Sequence, residues 1–137
     1  MAAALLASCS NDGGPPLAVS GVKVLAPLPG SDAGVAYMTI ENRTDAPVTI
    51  TGVSSPQFDR VEIHETSLVD GVSQMRQLHR IDIGGNASVT FQPGGRHIML
   101  IGPKDAVAVG SAVTLELSHS QGQLIVSATL ADRSPGN

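Results

Sequence analysis

The chain has 137 residues, enough for one domain with a real hydrophobic core, and a formal net charge of −4 with no basic cluster, which argues against a nucleic-acid partner. Two Phe, one Tyr and no Trp leave Val, Ile, Leu and Ala to fill that core. After the N-terminus no stretch approaches the roughly 20 consecutive apolar residues of a membrane-spanning helix.

In chain order, Leu6-Ala7-Ser8-Cys9 comes first and resembles a bacterial lipobox, whose cysteine becomes the lipid-modified first residue of an exported protein. The basic n-region of a complete signal is missing and the apolar run is short. An ordinary signal-peptide end and a chance match in an alanine-rich leader are the alternatives. A lipid on Cys9 would explain the single cysteine of the chain and anchor it, outside the cytoplasm, to a bacterial membrane. Ser10 to Pro16 reads as a flexible tether. Residues 1–16 are therefore a leader remnant and tether, 17–132 the folded domain and 133–137 a disordered tail.

Short apolar alternations broken by Gly, Pro, Asn and Asp follow at 18–26, 34–41, 47–53, 59–69, 72–81, 86–91, 96–101, 112–119 and 123–131. None keeps a helical period, and evenly spaced strands of this kind predict an all-β sandwich or barrel of about seven to nine strands. Met38 alternates with Ala36 and Ile40 and belongs to the core.

Val69-Asp70-Gly71-Val72 is a hairpin signal, because Asp-Gly between strand formers favours the two-residue type I′ turn. Residues on either side then pair by a fixed sum: His64 faces Gln77, and Met75 faces Thr66. His64 and Met75 become diagonal neighbours on one face, roughly 7–8 Å apart at the backbone. The other face carries Val61, Ile63 and Leu78 toward a core, with Glu65 opposite Arg76. In the later strand, period two puts His97, Met99 and Ile101 on one side and Ile98 and Leu100 on the other. Whether the two pairs converge is a tertiary question.

Two imidazoles and two thioethers form a soft-to-borderline donor set, and thioether sulfur suits Cu(I). Taken singly, a strand histidine is more often exposed and a methionine more often a core filler. Here each methionine stands near a histidine on a face turned away from the core. Other candidates are weaker. His79 falls opposite Glu62 on the same face and is either an auxiliary ligand or an exposed side chain. His119 falls in a turn and is expected in solvent, and Glu62 and Glu65 are expected to be surface charges. Pro93-Gly94-Gly95 lacks the Lys-Ser/Thr of a phosphate-binding loop and reads as the turn that aims His97. There is no GxSxG elbow, and Cys9 lies outside the folded part, so nucleophilic catalysis has no candidate and a non-enzyme is expected.

His64, ten residues, Met75, twenty-one residues, His97, one residue, Met99 matches without a gap the copper motif of the periplasmic copper chaperones of the PCuAC type. Residues 36–42, 61–65, 75–76 and 93–100 also resemble that family, over a span of roughly 17 to 131. Val22-Lys23-Val24-Leu25 departs from it by lacking the tryptophan often present in the first strand. The resemblance implies a cupredoxin-like Greek-key fold and one Cu(I) per chain on His64, Met75, His97 and Met99. It also implies a periplasmic or other extracytoplasmic location. The implied partner is a copper acceptor, such as a cytochrome c oxidase subunit or another assembly factor.

The folded part has no thiol, which excludes the Cys-His₂ centre of blue-copper electron transfer. The expected function is carriage of Cu(I) outside the cytoplasm and its transfer by ligand exchange. The alternatives are a copper storage or resistance protein and a β-sandwich interaction module without metal.

Overall fold

The computed structural model describes residues 15–104 and 107–133. The lipobox, most of the tether and residues 134–137 of the tail lie outside the described residues. Ten strands follow one another: β1 (Leu17–Leu25), β2 (Ala33–Asn42), β3 (Val48–Ser54), β4 (Phe58–Val69), β5 (Val72–Leu78), β6 (Ile81–Ile83), β7 (Ser88–Phe91), β8 (Arg96–Pro103), β9 (Ala112–His119) and β10 (Gly122–Ala131). There is no helix among the described residues.

The hydrogen-bonded order is β5-β4-β8-β7-β2-β1-β10-β9-β3-β6, with β8 also pairing with β2. The link between β1 and β10 is short and parallel, confined to Val24–Leu130 and Leu25–Ala131. It joins two layers, β5-β4-β8-β7-β2-β1, antiparallel except for the single parallel β7–β8 bridge at Phe91–Arg96, and the antiparallel β10-β9-β3-β6. Neighbours distant in sequence, β4 with β8 and β3 with β9, give the crossed connections of a Greek-key sandwich.

Alternation explains which face each strand buries. Ala36, Met38 and Ile40 of β2, Ile98 and Leu100 of β8, and Ile63 of β4 meet Val113, Leu115 and Leu117 of β9 and Leu124, Val126 and Leu130 of β10 in one cluster. Phe58 and Phe91 are its two buried aromatic rings. Where the resembling family often has a tryptophan, Val24 is buried, and β1 changes register between Ser20 and Lys23.

The expected strand 72–81 is two strands. β5 stays with β4, whereas β6 crosses to pair with β3 through Val48–Ile83 and Ile50–Ile81, so the chain changes layers at His79-Arg80. The count is therefore ten instead of the expected seven to nine. Leu78 and Ile81 are three residues apart, so the period-two alternation shifts phase at His79-Arg80 while Leu78, Ile81 and Ile83 all turn toward the same core.

One buried polar side chain ties these turns together. Asn42 is fully buried; its Nδ2 donates to the carbonyls of Ala46 (2.8 Å), Ile83 (3.0 Å) and Gly84 (3.0 Å), and its Oδ1 accepts from the backbone and hydroxyl of Thr44. Its hydrogen-bonding capacity is used almost completely, as burial requires.

Candidate metal centre

The hairpin forms in the register set by its turn. Asp70 and Gly71 take φ values of 52° and 79°, the left-handed pair of a type I′ turn, and His64 pairs with Gln77 while Thr66 pairs with Met75. β8 lies directly against β4 on the side away from β5, with His64 opposite His97 and Glu62 opposite Met99. Directly paired residues share a face in an antiparallel sheet. Met75 on β5, His64 on β4 and His97 and Met99 on β8 thus stand on one face of three adjacent strands, away from the core.

The two imidazoles stack with ring centroids 5.7 Å apart and planes inclined by 28°. Beside them is an open cleft of about 240 Å³ lined by Tyr37, Thr66, Met75, Pro93, His97 and Met99, with Arg133 at its edge. Met75, on the edge strand, is 56% exposed, whereas Met99 is half-buried.

Hydrogen bonds identify the free nitrogen of each ring. His64 Nε2 lies 2.8 Å from Glu62 Oε1. Bonds to His64 and then to Arg60 hold the Glu62 carboxyl below its ordinary range, so it is ionised near neutral pH and only accepts. Nε2 of neutral His64 therefore carries the proton, and Nδ1 keeps its lone pair. That Nδ1 is buried and has no hydrogen-bond partner. His97 shows the converse arrangement: its Nδ1 donates to the Gly95 carbonyl at 3.3 Å, which leaves Nε2 as the free base. The same carbonyl accepts the Thr66 amide at 3.1 Å, so the 93–95 turn fixes both the His97 ring and its distance from β4.

Burial pushes the His97 imidazole below the ordinary histidine value, outweighing the Gly95 bond that pulls it upward; His64 and Arg133 add small repulsions in the same direction as burial. A base kept neutral to lower pH is what a metal-ligating imidazole requires.

Two of the weaker expectations change, and His79 takes the exposed one of its two readings. Glu62 is not a solvated surface charge: its side chain is 18% exposed and each carboxylate oxygen has its own donor. The signal was present in the alternation of β4, which puts Glu62 on the face of His64. His119 ends β9 buried, at 9% exposure, in phase with Val113, Leu115 and Leu117, and its Nδ1 accepts the Gln121 amide at 3.2 Å. The turn begins one residue later than the run of Ser, Gln and Gly suggested. His79 is exposed and lies past the last β4–β5 pair, Ile63–Leu78, so the ladder does not carry it to the site.

The fold is shared with PCuAC domains of known structure. The Copper-bound PCuAC domain of PmoF2 superposes with a TM-score of 0.69 at 24% identity, covering 86% of this chain and 94% of that one. The Cu(I)-bound form of DR1885 from Deinococcus radiodurans gives 0.70 at 28% identity, covering 93% and 85%. The chain belongs to the LpqE-like family, whose model matches residues 17–129. It is also similar to protein RP573 of Rickettsia prowazekii, with 32% identity over 103 residues, 74% of this chain and 57% of that protein. A candidate lipoprotein of Leifsonia xyli subsp. xyli, Lxx21020, is 27% identical over 94 residues, 68% of this chain and 57% of that protein. The matches thus span 57% of the length of each of these two relatives. The resemblance read from the sequence holds for both fold and family.

Proposed function

We propose that this chain is an extracytoplasmic copper chaperone that binds one Cu(I) through His64, Met75, His97 and Met99 and releases it by ligand exchange to a docked acceptor. The observation that carries this reading is the pair of imidazoles, each held by a hydrogen bond on one nitrogen and free on the other, on the same sheet face as two thioethers. The Cu(I)-bound Deinococcus radiodurans protein and the copper-bound PCuAC domain support the choice of metal.

The donor set suits transfer. Thioethers are neutral and leave a metal without taking a proton, whereas imidazoles bind only when unprotonated. Met75, on the solvent-exposed edge strand, is the donor most easily displaced by an incoming ligand, and His64 and Met99 are more enclosed. Delivery is toward copper-site assembly in cytochrome c oxidase or a factor that serves it. The extracytoplasmic location, with a lipid anchor on Cys9, is supported by the lipoprotein character of the family description.

Anaerobic Cu(I) titration against a competing chelator tests the site. Wild type should bind one equivalent, and Met75→Ala, Met99→Ala, His64→Ala and His97→Ala should each bind more weakly; four unchanged affinities would remove the site. A storage or resistance protein would bind equally well but retain its metal when mixed with a recombinant copper-accepting oxidase subunit, whereas a chaperone would load it.

A further inference from the structure

The face that carries the proposed ligands also holds a line of charge along β4. Arg60, Glu62 and His64 are alternate residues and so point the same way. Arg60 Nε donates to Glu62 Oε2 at 2.7 Å, and His64 Nε2 donates to the other oxygen, Oε1, at 2.8 Å. The carboxylate thus bridges a fixed cation and an imidazole, using a separate oxygen for each. Its side chain and that of His64 are similarly shielded, at 18% and 17% exposure.

We propose that Glu62, braced by Arg60, is a positioning residue that commits His64 to the Nε2–H tautomer and so presents Nδ1 as the metal-binding nitrogen. This rests on the proposed Cu(I) site and adds the way in which one ligand is prepared. In the opposite tautomer an Nε2 lone pair would face the carboxylate, and a buried Nδ1–H would have no acceptor. Metal-ligating histidines commonly donate their other nitrogen to a carboxylate or carbonyl, which sets both tautomer and ring orientation. Here the two histidines take their bonds on different nitrogens: His64 donates Nε2–H to a carboxylate, and His97 donates Nδ1–H to the Gly95 carbonyl. The proposal therefore predicts mixed coordination, Nδ1 from His64 and Nε2 from His97.

The near-isosteric Glu62→Gln substitution gives a signature that a general packing role would not. Its amide has one accepting and one donating end. Arg60 only donates and takes the oxygen, which turns the NH₂ toward His64 Nε2 and favours the Nδ1–H tautomer. Glu62→Ala removes the acceptor at Nε2 and leaves only the burial of Nδ1 to bias the tautomer. The experiment is long-range ¹H–¹⁵N correlation of the imidazoles in metal-free protein at about pH 8, where histidines are neutral, paired with anaerobic Cu(I) competition titration.

Wild type should show Nε2–H at His64. Glu62→Gln should shift it toward Nδ1–H and weaken Cu(I) binding about tenfold, the lower end for loss of such a partner. Adding Arg60→Ala to Glu62→Gln should free the amide to rotate and recover part of both effects. Glu62→Ala should give mixed tautomers with affinity also reduced. A pure Nε2–H form in Glu62→Ala, or wild-type Cu(I) affinity in that variant, would overturn the role of Glu62 while leaving the copper site in place. Failure of wild type to bind Cu(I) would instead remove the function, and the tautomer readout distinguishes the two.

Discussion

At the scale of single residues, exposure separates metal binding from stability. Met75 contributes little packing, so Met75→Ala should change unfolding free energy by less than about 0.5 kcal/mol, the range for surface substitutions, while weakening Cu(I) binding. Urea unfolding and chelator competition on the same preparation check this. His97 and His119 carry the pH dependence. Burial lowers both below the ordinary histidine value, so the native state prefers them neutral. As pH falls below about 6.5 the unfolded chain takes up protons first. Native stability should therefore decline from there until pH passes the folded values. Both imidazoles should titrate below 6.5 by NMR in the metal-free protein, and the urea midpoint should be lower at pH 5.5 than at pH 7.5. Glu62 and His119 were legible as residues, because alternation puts one on the face of His64 and the other in phase with Leu117. Their type misled: a glutamate within a strand and a histidine before Ser-Gln-Gly both read as solvated until a partner or a packed neighbour is known.

At the scale of elements, the hairpin and the loop staple are the parts whose failure would propagate. Gly71 occupies a left-handed position at φ 79°, and Val there should cost about 1–2 kcal/mol and loosen the turn that ties Met75 to His64. Thermal unfolding should show the loss, and Cu(I) affinity should fall although no ligand is changed. Asn42 supports the opposite end of the sandwich. Asn42→Ala removes the amide that ties the Ala46, Ile83 and Gly84 carbonyls together and should cost about 1–3 kcal/mol, with Cu(I) binding unaltered in the fraction that folds. The β4–β5 register was legible because its determinant is a two-residue turn between the strands it pairs. The separation of β5 from β6 was only half legible: Leu78 and Ile81 are three apart, so the period-two alternation shifts phase at His79-Arg80, but only the pairing of Ile81 and Ile83 with Ile50 and Val48 reveals the change of layer.

At the scale of the whole molecule, the sandwich supplies a rigid back wall and leaves one sheet face free for chemistry. Ile63, Ile98 and Leu100 anchor β4 and β8 to the core, while the intervening residues, His64, His97 and Met99, face outward. The all-β class and most strand positions follow from local alternation and turn residues. Adjacency of β4 and β8 does not, because more than thirty residues separate His64 from His97 and no local feature records which strands become neighbours. Resemblance to a known ligand spacing bridged that gap. The central claim is that the two thioethers and two imidazoles bind one metal ion together, and X-ray absorption of the Cu(I)-loaded protein tests it most directly. The spectrum should contain both sulfur and nitrogen scattering, with sulfur reduced in Met75→Ala and in Met99→Ala and nitrogen reduced in His97→Ala. A first shell without sulfur, or one unchanged by any of these substitutions, would contradict it.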